Sequence, residues 1–354
     1  ATPKFSFIGG DISLDEAPEG TATNFGTETS RGPFLTGNRV ELVSVASAGE
    51  VVPANGTYDL GSFTSLGNID IANGSVVDAT EVYIRGGQVV IEDSVVAPGF
   101  FFVADMGPPP NGGSVTISGS ESVDIIGTGA PLQIEVDHPD PTIDPIVVTR
   151  FDGGPLFTGI STFGGNPFPN EPATDAPDVL IEGGNVTLRD SAGIISQRFG
   201  PGEAGDITVN GDTVEIRNGS LIVNLNTYDG AGGNITIDAN HVILDSEGNT
   251  TPVTGLNGLT TSTRFSPVFG NPALDPNFNG TAPQDNSLIY APELASADAG
   301  NITINATGPD GLIVRGADIL TETQSYGKAG DITVNASNIL LSREGGETGS
   351  IESR

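Results

Sequence analysis

The segment Gly205-Asp-Ile-Thr-Val-Asn-Gly211 decides the fold, because the chain contains three more copies of it. Each copy consists of a glycine, an Asx residue and an Ile-Thr-Val or Ile-Thr-Ile triplet. The other copies begin at Gly233, Gly300 and Gly330. A weaker copy starts at Asp178, and the Asx residues at positions 178, 206 and 234 are 28 residues apart. A fixed spacing of this size is typical of solenoid proteins, in which similar units stack along one axis.

Each repeat contains three short apolar runs that are separated by Gly and Asn. In the repeat that follows Asp206 these runs are 207–209, 214–216 and 221–223. Alternation with period two between such turn residues is typical of β-strands, and no segment has the i, i+3, i+4, i+7 pattern of an amphipathic helix. The sequence therefore predicts an all-β fold, a parallel β-helix (β-solenoid) with three short strands per coil of 28 residues.

Stacked coils would place equivalent residues in columns with a spacing of ~4.8 Å. The inward positions of the first strand are all β-branched, which favours a regular sheet. The outward position between them predicts a threonine ladder, formed by Thr208, Thr236, Thr303 and Thr333. The position after the strand predicts a second ladder, formed by Asn210, Asp238, Asn305 and Asn335. We expect cross-strand threonine pairs in the first ladder and amide hydrogen bonds along the axis in the second.

A further column, at the end of the second strand, contains charged residues. Its members are Arg189, Arg217, Asp245 and Arg315. Because one acid lies between arginines, we interpret the column as a charge ladder on the surface. A stripe that binds a ligand is the alternative interpretation.

Composition limits the classes of partner. The chain has 354 residues, 50 Gly, no Cys and a formal net charge of −32. This charge disfavours nucleic acid and anionic membrane surfaces as partners. No apolar run approaches the ~18 residues of a spanning helix, so we expect no membrane insertion.

The repeats predict one domain over residues 1–354, because a solenoid grows along one axis without division. We expect irregular coils at 1–80 and regular coils at 81–354. Two proline-containing segments, 137–177 and 246–298, break the period and are predicted to be loop insertions. Insertions of this kind leave a stacked core intact and offer a place for specificity.

Catalytic and cofactor residues are not predicted at any position. No nucleophile elbow, P-loop or His-Glu-x-x-His motif is present, so the prediction is that the chain is not an enzyme. Calcium is the one metal considered, because acidic loops supply oxygen ligands. The candidate ligands are Asp137, Asp140, Asp144, Asp178 and Asp206. The alternative interpretation of these acids is solvated turns without metal.

Several segments, in this order, resemble a known family. They are Phe5-Ser-Phe-Ile-Gly-Gly-Asp-Ile-Ser-Leu14, Arg39-Val-Glu-Leu-Val-Ser-Val45, Ser65-Leu-Gly-Asn-Ile-Asp-Ile71, Tyr83-Ile-Arg-Gly-Gly-Gln-Val-Val-Ile91 and the recurring Ala-Gly-Asx-Ile-Thr phrase. Together they are similar to the region after the amino-terminal secretion domain in exoproteins of two-partner secretion, the filamentous haemagglutinin-like proteins.

The resemblance implies a right-handed parallel β-helix in a secreted bacterial protein. It further implies export through an outer-membrane β-barrel transporter and a location at the cell surface or outside the cell. The secretion domain of the family does not occur in this sequence, which is interpreted as cleavage during maturation or as a fragment.

From shape and resemblance together we expect an extracellular structural or adhesive protein. Solenoid ends without caps expose strand edges that can pair. Self-association end to end into a filament is therefore expected, with a rod-like adhesin or a piece of a longer rod as alternatives. A glycan or a cell-surface receptor is a further expected partner. A carbohydrate-active β-helix, resembling polysaccharide lyases or hydrolases, is the alternative function.

Overall fold

The computed structural model describes residues 4–15, 33–54, 57–98, 112–129, 134–136, 146–148, 150–151, 154–155, 158–165, 175–199, 202–226, 231–249, 258–263, 298–323, 327–344 and 347–354. In these ranges the chain forms strands and turns, which confirms the predicted all-β fold. These ranges contain no helix that is long and apolar enough to cross a membrane.

The strands, in chain order, are β1 Lys4–Gly9, β2 Ile12–Leu14, β3 Phe34–Ser44, β4 Val52–Ala54, β5 Thr57–Asp59, β6 Ile69–Ile71, β7 Val76–Glu92, β8 Val95–Val96, β9 Ser114–Ile126, β10 Ile134–Val136, β11 Ile146–Val148, β12 Arg150–Phe151, β13 Gly154–Pro155, β14 Gly159–Gly165, β15 Asp178–Arg189, β16 Gly193–Phe199, β17 Ile207–Arg217, β18 Leu221–Asn226, β19 Ile235–Asp245, β20 Gly258–Thr263, β21 Ile302–Arg315, β22 Asp318–Thr323, β23 Ile332–Ala336, β24 Ile339–Glu344, β25 Glu347–Thr348 and β26 Ser350–Ser353.

One 20-stranded sheet contains most of these strands, and its pairs are parallel except for β24 with β25. The sheet is not closed. The remaining strands form three two-stranded antiparallel pairs, β4 with β5, β10 with β11 and β12 with β13. The confirmed part of the predicted architecture is therefore a large parallel sheet in an all-β chain.

The parallel pairing aligns equivalent residues of successive repeats in three columns. Column A runs through Phe5, Val40, Val82, Val115, Val179, Ile207, Ile235, Ile302 and Ile332. Column B runs through Ile12, Ile69, Val89, Val123, Val186, Val214, Val242, Leu312 and Ile339. Column C runs through Leu35, Val77, Val96, Ile160, Ile194, Ile222, Leu259, Ile319 and Ile351.

Between their ends, these columns form one continuous apolar core. Their interior members are at most 2% exposed, and the same cluster contains the second inward residue of the interior strands in columns A and B, such as Ile84 and Ile181. β-branched residues dominate because their side chains pack well on a pleated surface. Burial of such side chains supplies the main favourable term in folding.

The first two predicted strands of a repeat form one continuous strand in β15, β17, β19 and β21. The Asn-Gly-Asp segment between them lies within the strand, and Asn210 and Gly211 pair with Asp238 and Ala239 of the next repeat. Because the strand continues through this segment, the prediction of three separate short strands differs from the structure at this point.

A paired strand lies inside each predicted insertion. β14 lies within 137–177 and pairs with β8 and β16, and β20 lies within 246–298 and pairs with β18 and β22. Both belong to column C. Each proline-containing segment thus includes a strand that pairs within the sheet.

A hairpin covers the outer face near the amino terminus. Strands β4 and β5 form this hairpin, and Tyr83 packs with Val43 and Leu60 in a small second cluster. Tyr83 occupies the outward position that threonine fills elsewhere, yet it is buried. The outer face of the sheet is thus covered here, while the threonine part of the same column remains partly exposed.

Candidate functional site

The threonine ladder lies on the outer face of column A. Thr208 pairs with Thr236, Thr236 with Thr303 and Thr303 with Thr333, each in parallel register. The first three are partly exposed, and Thr333 is exposed. The hydroxyl groups therefore form a regular polar strip that runs across successive strands of the sheet.

A second ladder, which we name the Asx ladder, precedes the strands of column A. Asp206 N donates to Asp178 Oδ1 at 2.8 Å, and Asn234 N donates to Asp206 Oδ1 at 2.7 Å. Asn301 N continues to Asn234 Oδ1 at 3.0 Å, and Asp331 N to Asn301 Oδ1 at 2.8 Å. Each side chain accepts a backbone N–H of the next repeat, which explains why the position requires Asp or Asn.

The predicted column of Asn210, Asp238, Asn305 and Asn335 is also in register. Asn305 Nδ2 donates to Asp238 Oδ1 at 2.5 Å, and Asn335 Nδ2 donates to Asn305 Oδ1 at 2.8 Å. The amides thus hydrogen-bond along the axis between these repeats.

The candidate calcium ligands separate into two groups. Asp137, Asp140 and Asp144 lie outside the described residues. Asp178 and Asp206 belong to the Asx ladder, where their oxygens accept backbone hydrogen bonds. Within the part of the chain that the structure describes, no group of three or more His, Cys, Asp or Glu side chains is arranged to hold a metal ion.

The charge ladder brings Asp245 between two arginines. Arg315 Nη1 lies 3.1 Å from Asp245 Oδ2, and Arg217 Nη1 lies 3.7 Å from the same oxygen. Arg217 also contacts Glu215 at 2.7 Å and Glu247 at 3.3 Å. Since the Asp245 side chain is only 7% exposed, its negative charge is matched mainly by these guanidinium groups.

The glycine that precedes the Asx ladder has a steric cause that sequence reasoning missed. A Cβ added to Gly300 would lie 1.8 Å from Gly233 O, and one added to Gly330 would lie 2.0 Å from Gly300 O. A Cβ added to Gly205 would lie 2.1 Å from Pro177 O. Neighbouring repeats therefore approach each other through bare backbone at this corner.

A buried polar column, also missed by sequence reasoning, hydrogen-bonds to the backbone of these glycines. Asn224 is 1% exposed; its Nδ2 donates to Gly205 O at 2.5 Å, and its Oδ1 accepts from Gly233 N at 3.1 Å. Thr321 Oγ1 donates to Gly330 O at 2.7 Å in the equivalent place. The signal in the sequence is a polar residue two positions after the column C residue.

A charged cluster lies under the hairpin on the outer face. Glu41 is fully buried and accepts hydrogen bonds from Ser6 Oγ at 2.6 Å and from Tyr58 Oη at 2.5 Å. It also contacts Lys4 Nζ at 2.9 Å and Arg39 Nε at 2.6 Å. Burial would raise the pKa of Glu41, but these hydrogen bonds outweigh it and lower the pKa to about 2.

A second buried charge, Arg198, lies at the end of β16. It is fully buried, and burial lowers its pKa. The charges of Asp175 and Glu203 act in the opposite direction, and the resulting pKa is about 10. A Cβ at Gly202 would lie 2.5 Å from Arg198 Nη2. The guanidinium remains a cation at neutral pH, enclosed beside two acids where the first insertion rejoins the sheet.

The two ends of the sheet expose residues of the core columns. At one end Phe5 is 42% and Phe7 44% exposed, although their partners Val40 and Leu42 are fully buried. At the other end Ile339 is 52% and Leu341 47% exposed, although Leu312 and Val314 are fully buried. Among the described residues, the apolar columns therefore continue to both ends of the sheet, where their last members are exposed or partly buried.

The chain matches no protein-family model, no curated protein and no solved structure.

Proposed function

We propose that this chain is an extracellular structural or adhesive β-solenoid, right-handed in its winding, whose copies associate end to end into a surface filament. The observation that supports it most is the pair of uncovered apolar ends, at Phe5 and Phe7 and at Ile339 and Leu341. Parallel strands at such ends also offer unpaired backbone N–H and C=O groups to another strand.

The lateral surface supports a structural role. The Thr, Asx and charge ladders give it a repeating pattern of small polar groups, which suits weak contacts repeated along a fibre. No cysteine and a net charge of −32 fit a protein that remains soluble outside the cell. A glycan or a cell-surface receptor is the lateral partner that we propose.

The resemblance to filamentous haemagglutinin-like exoproteins supplies the proposed route. On that basis the chain is a bacterial surface protein that crosses the outer membrane through a β-barrel transporter. The stacked repeats fit this route, because they can fold one after another as the chain emerges.

Electron microscopy of the purified chain tests the proposal. Nine stacked repeats at ~4.8 Å give a rod of roughly 43 Å. We expect fibres whose length grows with protein concentration and whose axial period is close to that rod length. Separate short rods at every concentration, together with a monomeric mass in sedimentation equilibrium, would contradict assembly.

A further inference from the structure

The pairing register of the sheet determines how two copies can join. Column A begins at Phe5 and ends at Ile332, and the second inward residues of the same strands are Phe7 and Val334. A second copy that adds one more repeat in the same register places its Phe5 on Ile332 and its Phe7 on Val334. Exposed and partly buried apolar residues would then cover each other.

Columns B and C agree with this placement. In column B, Ile12 and Leu14 of the second copy would lie on Ile339 and Leu341. In column C, its Leu35 would lie on Ile351. Ile12, Leu14, Leu35 and Ile351 are each only partly buried against the core in a single chain. Within the described residues, all three columns therefore end, on both sides, in apolar side chains that are exposed or only partly buried.

Charge supports the same register. In the pairing register of the sheet, Lys4 is aligned with Arg39 and, through the following strands, with Asp178, where the Asx ladder begins. Asp331 is the last residue of that ladder. The Lys4 side chain is 50% exposed, and Asp331 is exposed. A second copy in register places the Lys4 backbone N–H beside the Asp331 carboxylate, which repeats the hydrogen bond that joins Asp178, Asp206, Asn234, Asn301 and Asp331. The Lys4 ammonium, which contacts Glu41 in its own chain, adds a cation at the same end of the sheet.

We propose that β1 and β2 of one copy pair in parallel with β23 and β24 of the next, in the register that continues the repeat within the chain. The partner is a second copy of this chain, and the inference rests on the proposed end-to-end assembly. The two contact surfaces differ, so the contact is heterologous and does not close in a dimer.

Disulfide trapping tests the register, since the chain contains no cysteine. Ile8 of one copy would face Asn335 of the other, because both lie in one line of the sheet. Ile8 is 42% exposed and Asn335 is exposed in the single chain. Paired strands are ~4.8 Å apart, within the range of about 4.4 to 6.8 Å between Cα atoms that a disulfide bridges.

We expect the double variant Ile8→Cys, Asn335→Cys to form a covalent series of multimers on mild oxidation. The matched control is Ile8→Cys, Asn305→Cys, in which the second cysteine lies one strand further away, at about 10 Å, beyond the reach of a disulfide. At least tenfold less cross-linking is expected in the control. Ser13→Cys with Leu340→Cys, exposed positions on the outer side of column B, repeats the test independently.

The outcomes separate the two proposals. Selective cross-linking of both facing pairs supports the register. Fibres in the microscope with equal cross-linking of facing and control pairs, or with none, would overturn the register and leave assembly standing. Monomers in the microscope and no cross-linking would overturn both.

Discussion

At the scale of single residues, Glu41 shows how a buried charge is tolerated in a chain with few cations. Ser6, Tyr58, Lys4 and Arg39 all donate to its carboxylate, so its hydrogen-bonding capacity is filled. Tyr58 comes from the hairpin and Lys4 from β1, so the carboxylate fastens both to β3. Removal of one group from such a buried cluster destabilises the fold by more than the net contribution of its hydrogen bond, because the remaining polar groups are left without a partner.

The substitution Glu41→Gln should lower the free energy of unfolding at pH 7 by about 1–3 kcal/mol, because a neutral amide accepts hydrogen bonds from the charged Lys4 and Arg39 side chains less well. The pKa of Glu41 is lowered from 4.5 to about 2, so its contribution is present above the unfolded value and is lost as pH falls from 4.5 towards 2. Urea unfolding at pH 7 and at pH 3 measures both effects.

The control for this experiment is Glu50→Gln, because Glu50 is exposed and lies in the segment that leads to the hairpin. It should change the free energy of unfolding by less than about 0.5 kcal/mol. If Glu41→Gln retained the full acid dependence between pH 4.5 and pH 2, Glu41 would not be its source.

At the scale of the repeat unit, glycine and Asx act as a pair at the corner before column A. The glycine allows backbone atoms of neighbouring repeats to approach, and the Asx side chain then accepts the N–H that this corner leaves without a strand partner. The motif is therefore a steric and hydrogen-bonding requirement of stacking. This explains why it is the most regular part of the sequence.

Gly300→Ala should destabilise the chain by about 2–4 kcal/mol, because the alanine Cβ would lie 1.8 Å from Gly233 O. This oxygen belongs to the backbone, so no side-chain rotation can relieve the overlap. Thermal unfolding followed by circular dichroism measures the change. Gly9→Ala is the control, since a Cβ there has nothing within 4 Å. Equal stability of the two variants would show that neighbouring repeats are not in this close contact.

The Asx ladder gives a prediction that separates hydrogen bonding from calcium binding at Asp206. Asp206→Asn keeps the Oδ1 acceptor for Asn234 N–H and should change stability by less than about 0.5 kcal/mol, whereas Asp206→Ala should cost about 1–2 kcal/mol. Removal of calcium with EDTA should leave the unfolding temperature of the parent unchanged if the ladder alone uses this carboxylate. A fall in that temperature which Asp206→Asn abolishes would instead assign a calcium ligand.

The repeat made part of this unit predictable. Ile207 and Val209 recur at fixed spacing with Thr208 between them, so column A and its outward threonines follow from the sequence. The strands β14 and β20 did not follow, because proline-containing segments separate them from the repeats they complete. The Glu41 cluster depends on the hairpin of β4 and β5, which is not part of the repeat and therefore leaves no periodic signal.

At the scale of the whole molecule, each repeat packs mainly on the repeats before and after it in the parallel sheet. A repeat contacts its neighbours, so each interior residue of a column is covered on both sides and each end residue on one side. The difference is large at Leu341, which is 47% exposed, against Val314, which is fully buried. The ends are thus the places where assembly gains apolar burial at the smallest cost in structural change.

The double substitution Ile339→Lys, Leu341→Lys should therefore prevent end-to-end assembly and leave the fold of the chain nearly unchanged. Loss of two buried apolar contacts at about 1.5 kcal/mol each corresponds to roughly 100-fold weaker association, and lysine at a sheet edge also opposes pairing. Sedimentation velocity over a concentration series measures association, and circular dichroism measures the fold. Val52→Lys is the matched control, because Val52 is 44% exposed but lies on the lateral hairpin. If the double variant still assembled and the Val52→Lys variant did not, the contact between copies would be the hairpin and not the ends of the sheet.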